Sequence, residues 1–221
     1  MTEHRDTVLT GLDDDTAVLH RISEDLTTKF TGIFAAETVE RYVFESYTAL
    51  ARTSRIHTYL AATTARFAAD RLKALAQAKG AIAHDVPEVL FVCVHNAGRS
   101  QLAAALLAKH ARGAVNVRSA GSQPASELEP SIVAALAEAG VDLSLEFPKP
   151  LTDDVVRAAD VVVTMGCGDS CPIYPGKQYL DWTIQDPAGA DLAGARKIRD
   201  DIDLLVRELL TELTATQPEN Q

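Results

Sequence analysis

Apolar positions along the chain follow two different periods, and the change falls near residue 82. Before it, apolar residues recur at helical spacing: Val39, Tyr42, Val43, Tyr47 and Leu50 share one face, and Ile56, Tyr59, Leu60, Thr63 and Phe67 share another. With Asp15 to Lys29 as a first helix, residues 1–82 predict an all-α three-helix bundle. Thr38 and Ser54 are its expected N-caps, Lys79-Gly80 closes the third helix, and Ala81 to Pro87 forms a linker. Beyond that point short unbroken apolar runs alternate with helical stretches. The predicted order is strand 88–94, helix 99–111, strand 114–120, helices 129–139 and 152–158, strand 160–165, short strand 179–182 and helix 192–213. Such alternation predicts a second domain, residues 83–221, of α/β class: an open parallel sheet covered on both faces.

Charge narrows the partners. The net charge of −10 argues against nucleic acid, which needs a basic stripe. Residues 1 to 85 carry 10 Lys and Arg against 12 Asp and Glu, and the remainder carries 11 against 19. An anionic ligand of the second domain is therefore captured by local groups and not by long-range steering. No apolar stretch is long enough to span a bilayer, and the polar start Met1-Thr2-Glu3-His4-Arg5-Asp6 is no secretion signal, so a cytoplasmic address is expected. Three cysteines are too few for a disulfide framework and suit redox chemistry in a reducing compartment.

The chemistry concentrates where the first strand meets its helix, Val89-Leu90-Phe91-Val92-Cys93-Val94-His95-Asn96-Ala97-Gly98-Arg99-Ser100. Five residues between Cys93 and Arg99 let the backbone of Val94, His95, Asn96, Ala97 and Gly98 curl into a bowl of inward N–H groups, and the helix aims its positive end at the same place. A tetrahedral oxyanion fits there, bound by these amides and Arg99. The same field favours a thiolate, which makes Cys93 a nucleophile at neutral pH. Asn96 and Gly98 are types that tolerate the positive φ of a tight bowl. A purely structural buried cysteine needs no Arg and Ser at the helix start.

These residues resemble the low-molecular-weight protein tyrosine phosphatase superfamily and, within it, the arsenate reductases. The run Cys93 to Gln101 looks like the arsenate-reductase version of the loop. Ser119-Ala120-Gly121-Ser122, the strand Asp160 to Met165, and Asp186-Pro187 agree with it. The likeness spans about residues 86 to 213 and implies a flavodoxin-like sheet with a phosphate-binding loop. The helical extension before it is similar to that of some actinobacterial arsenate reductases. It carries no catalytic constellation, and packing or homodimerisation is its expected role.

Two more thiols follow the third strand, in Met165-Gly166-Cys167-Gly168-Asp169-Ser170-Cys171-Pro172. Ester hydrolysis needs one cysteine because water completes it. Reduction of arsenate takes two electrons and a second thiol, which attacks the sulfur–arsenic adduct on Cys93. Parallel neighbouring strands bring their carboxyl ends together, so this loop can reach the bowl. A zinc half-site is the competing reading of Cys167 and Cys171, and it lacks ligands: no second Cys pair exists, and His95 and His110 lie in or just after the loop helix. His95 is expected to orient the loop. No metal or bound cofactor is expected, and Ala104 stands where the thioredoxin-coupled enzymes carry a carboxylate that helps hold potassium.

In the family resembled, one loop cysteine resolves the adduct and the other exports the disulfide. The short spacing of Cys167 and Cys171 is closer to relatives that use mycothiol, so the order of the two stays open. Asp186 is the expected general acid for the departing oxygen, and Ala188-Gly189 replaces the aromatic residue with which tyrosine phosphatases sandwich a phenyl ring. Trp182 and Tyr179 read as core. The expected function is thioredoxin-coupled reduction of arsenate to arsenite by Cys93, Arg99, Ser100, Cys167, Cys171 and Asp186. Mycothiol with a glutaredoxin-like protein, a phosphatase, and a non-catalytic oxyanion sensor are the alternatives.

Overall fold

A computed structural model describes residues 9–53, 59–166 and 171–215. They fall into two units, Met1–Ala81 and Ile82–Gln221.

The first unit holds three helices, α1 (Leu9–Lys29), α2 (Ala36–Ala51) and α3 (Leu60–Ala78). Val39, Tyr42, Val43 and Leu50 are buried on α2 as the spacing predicts, with Leu19 and Leu26 of α1 and Leu60, Phe67 and Leu72 of α3. Two details differ from expectation. Thr38 is not the cap of α2: that place belongs to Ala35, whose side chain makes no cap bond, and Thr38 N–H bonds Ala35 O from inside the first turn. Helix formers Ala36 and Glu37 extend the helix backwards past Thr38. On α3 the buried residues are Leu60, Thr64, Phe67, Ala68, Arg71, Leu72, Ala74, Ala76 and Gln77, so Leu60 and Phe67 are buried as predicted while the packed face extends toward Thr64, Ala68 and Arg71, and Tyr59 is 69% exposed. The wider face brings Arg71 inside, where it reaches Ser46 and Glu45 and lies over the Tyr42 ring. The expected cap Ser54 and the face residue Ile56 lie outside the described residues.

The second unit runs β1 (Glu88–Cys93), α4 (Arg99–Ala111), β2 (Asn116–Gly121), α5 (Pro130–Glu138), α6 (Asp153–Ala158), β3 (Val161–Met165), β4 (Gln178–Asp181) and α7 (Leu192–Ala215). The sheet is parallel throughout with strand order β2-β1-β3-β4. This is the flavodoxin-like order, in which the chain leaves β1 toward one edge and returns to its other side. Every residue of β1 is buried, as unbroken apolar runs in parallel sheets require. Val89, Phe91, Cys93, Val161, Val163 and Met165 point into one cluster with α4, α5 and α7, while Leu90, Val92 and Val162 are buried on the other face. Register sets Cys93 opposite Gly121 on one side and Met165 on the other. The carboxyl ends of three strands thus converge on the cysteine.

Candidate active site

Cys93 ends β1 and Arg99 opens α4, and a collar from the next crossover shapes the five residues between. Ser122 N–H bonds Cys93 O, Gln123 N–H bonds Val94 O, Ala125 N–H bonds His95 O, and Glu129 N–H bonds Ala97 O. All described peptide bonds are trans. A trans unit sends its C=O and the next N–H in opposite directions, so outward carbonyls at Cys93, Val94, His95 and Ala97 turn the N–H groups of Val94, His95, Asn96 and Gly98 inward. Asn96 confirms the sense, since its N–H lies 3.2 Å from Cys93 Sγ. The bowl of donors is built from outside.

Close approach dictates two glycines. A side chain at Gly121 would begin 2.7 Å from Val94 O, and one at Gly98 would begin 2.5 Å from Pro187 Cγ. Gly98 has φ −135°, so it is not the positive-φ residue that the sequence suggests; it is small because Pro187 seats on it. Asn96 does take the left-handed conformation, φ +47°.

Asn96 is fully buried and ties the loop together. Its Nδ2 donates to Ser100 Oγ at 2.8 Å, and Ser100 Oγ lies 3.0 Å from Cys93 Sγ. Its Oδ1 accepts from Lys149 N–H at 2.7 Å and from Gln101 Nε2 at 3.0 Å. His95, expected to orient the loop, is exposed and lines the pocket, and its backbone carbonyl accepts from Ala125 N–H. The side-chain bonds that tie the loop to its surroundings are those of Asn96.

Arg99 is the cation of the pocket. Its guanidinium donates to Asp186 Oδ2 at 2.8 Å and to Ile184 O at 3.4 Å. Gly166, with φ +74°, passes so close that a Cβ there would stand 3.0 Å from Arg99 Nη1. The chain leaving β3 therefore sets out beside the pocket. Asp186 Oδ1 accepts from Ala188 N–H at 3.0 Å, which holds the carboxylate over the bowl. Cys93, Ala97, Gly98, Arg99, Asp186 and Pro187 line one pocket, with Glu129 as a further lining residue that sequence reasoning missed. Its one signal is position, since it is the residue just before Pro130 at the start of α5.

Of the loop thiols, Cys171 is buried at 8% exposure, and Cys167 lies outside the described residues. The turn after Cys171 is pinned by Tyr179, whose OH accepts from Tyr174 N–H and donates to Pro172 O. Tyr179 is thus a brace for the cysteine turn as well as a strand residue. Trp182 packs as core, its ring 5.6 Å from that of Phe91. The arrangement can bind a tetrahedral anion, attack it with sulfur and protonate a departing oxygen. No helix among the described residues is long and apolar enough to cross a membrane.

Known proteins share the fold and much of the sequence. A thioredoxin-dependent arsenate reductase of Corynebacterium glutamicum superposes with a TM-score of 0.83 at 52% identity, covering 91% of this chain and 99% of that one. An arsenate reductase of Bacillus licheniformis is 36% identical over 124 residues, 52% of this chain and 88% of its own length. The YwlE arginine phosphatase of Geobacillus stearothermophilus superposes with a TM-score of 0.54 at 27% identity, covering 61% of this chain and 97% of that one. Residues 19–76 match the protein-tyrosine-phosphatase-like N-terminal domain, and residues 88–219 match the low molecular weight phosphotyrosine protein phosphatase family. With a cysteine at the carboxyl end of β1, an arginine opening the helix after it, and the family match over residues 88–219, the chain belongs to the low molecular weight phosphotyrosine protein phosphatase family.

Proposed function

We propose that this chain reduces arsenate to arsenite, with residues 83–221 as the catalytic domain and residues 1–82 as a helical extension, in a thiol-reducing compartment such as the cytoplasm. The observation that carries the reading is the thiol of Cys93 set between Ser100 Oγ and the Asn96 N–H beside Arg99, with a cysteine-bearing loop leaving the adjacent strand next to Arg99. Arsenate sits in the bowl on the amides of Val94 to Gly98 and on Arg99. The Cys93 thiolate displaces one arsenic-bound oxygen, which leaves as water with a proton from Asp186.

A second thiolate then attacks the Cys93 sulfur. The electron pair of the sulfur–arsenic bond passes to arsenic, which departs as arsenite, and the two sulfurs join in a disulfide. Arsenic gains two electrons and two thiols lose them. Cys171, in a turn braced by Tyr179, and Cys167 are the resolving pair, and an external dithiol regenerates them. Thioredoxin is the reductant this reading favours, supported by the likeness to the Corynebacterium enzyme across both units.

Ester hydrolysis is the second reading, favoured by one observation: the chain also superposes on an arginine phosphatase, at 27% identity. Arsenate-dependent NADPH oxidation with thioredoxin and its reductase, run beside hydrolysis of an aryl phosphate, separates the two. Consumption that vanishes in Cys93→Ser is the expected result. Rapid ester hydrolysis without arsenate-dependent consumption by thioredoxin or by mycothiol with a glutaredoxin-like partner would overturn the reductase reading.

A further inference from the structure

Gln101 stands in the first turn of α4 and is 2% exposed, an unusual place for a glutamine side chain. Its Nε2 makes two bonds, 2.9 Å to Phe147 O and 3.0 Å to Asn96 Oδ1. Backbone groups fix both amides in these orientations, because their roles cannot exchange. Phe147 O can only accept, so the NH₂ end of Gln101 must face it, and Lys149 N–H can only donate, so the carbonyl end of Asn96 must face that. The direction of the next bonds follows. Asn96 Nδ2 donates to Ser100 Oγ, and the Ser100 hydroxyl lies 3.0 Å from Cys93 Sγ, where its hydrogen can be donated to a thiolate, which has no proton of its own to give. A hydroxyl hydrogen given to an anionic sulfur makes a charge-assisted bond.

We propose that Gln101 is a positioning residue that, together with Lys149 N–H, holds Asn96 Oδ1 in place, so that the relay through Asn96 Nδ2 and the Ser100 hydroxyl ends on the Cys93 thiolate. It touches neither substrate nor sulfur and acts through Asn96. A glutamate of the same shape would turn acceptors toward Phe147 O and Asn96 Oδ1, and a methionine would supply no donor. The inference rests on the reading of Cys93 as the nucleophile, and its test measures thiolate directly.

The experiment is iodoacetamide alkylation across pH in the full chain carrying Cys167→Ser and Cys171→Ser, so that Cys93 is the thiol reporting. Gln101→Met is expected to slow alkylation at neutral pH about fivefold, the worth of one neutral hydrogen bond, and to displace the profile toward higher pH. Gln101→Glu, which also serves if the Met variant does not fold, should displace it further. In a Ser100→Ala background the change from Gln101→Met should disappear, since the relay is already cut. A profile unmoved by either substitution in folded protein, or a shift that persists in full without Ser100, would overturn the relay while leaving Cys93 as the nucleophile. A parent chain whose Cys93 reacts no faster at neutral pH than an ordinary thiol would overturn both.

Discussion

Two arginines in different units look alike by burial and differ in what surrounds them. Arg71 in α3 and Arg99 in α4 each have a side chain 9% exposed, and each meets a carboxylate that is about half exposed: Glu45 at 49% and Asp186 at 50%. Arg71 is enclosed, with Ser46 Oγ at 3.2 Å and the Tyr42 ring 4.5 Å away. Arg99 instead faces a pocket that also holds a thiol, with Gly98 before it in the chain admitting Pro187 and Gly166 admitting the guanidinium itself. A buried cation satisfied on all sides serves the fold. One that shares a pocket with a nucleophile serves chemistry. Burial and ion pairing alone do not tell them apart; the groups filling the remaining directions do.

The comparison breaks most visibly under Arg-to-Lys exchange. Arg99→Lys loses the planar fork and is expected to lower kcat/KM for arsenate by about 10²–10³-fold with little change in melting temperature. Arg71→Lys should do the reverse, costing about 1–3 kcal/mol of stability in denaturant titration while kcat/KM is retained. If both exchanges acted alike on turnover, the two arginines would not differ in role.

A sharper version tests the seat of Pro187. Gly98→Ala places a Cβ 2.5 Å from Pro187 Cγ and must push away the segment that carries Asp186. The expected cost is about 1–3 kcal/mol of stability, with a fall in kcat larger than any change in binding of inorganic phosphate. Isothermal titration beside steady-state kinetics reads both.

The smallest effect lies far from the pocket. Burial pushes the Asp203 carboxyl up, but bonds from His110 and Arg207 outweigh it and hold the group below its ordinary value. A lowered folded value stabilises the protein above the unfolded carboxylate range, and that contribution is lost as pH falls through the folded value. Asp203→Asn should therefore cost about 1 kcal/mol at neutral pH and close to nothing in strong acid, measured by denaturation at both.

The sequence made legible what depends on local pattern. Unbroken apolar runs gave the strands, and the Cys93–Ser100 spacing gave the loop, because a tight bowl between strand and helix restricts residue type at each step. What stayed hidden depends on contacts distant in the chain. Gly98 looked like a conformational glycine, yet its partner is Pro187, and no spacing within the loop reveals that. The collar 122–129, Glu129 on the pocket wall, and the grip of Gln101 and Lys149 on Asn96 are of the same kind. On α3 the packed face was only partly legible because a buried arginine does not read as core until Ser46, Glu45 and Tyr42 are seen to receive it.

The central claim is that this chain passes two electrons from its own thiols to arsenic, and a single turnover tests it most directly. Fully reduced protein mixed with one equivalent of arsenate and no external reductant should release about one arsenite per chain and lose the mass of two hydrogens as a disulfide forms. Arsenite absent from such a mixture, with the protein mass unchanged, would contradict it.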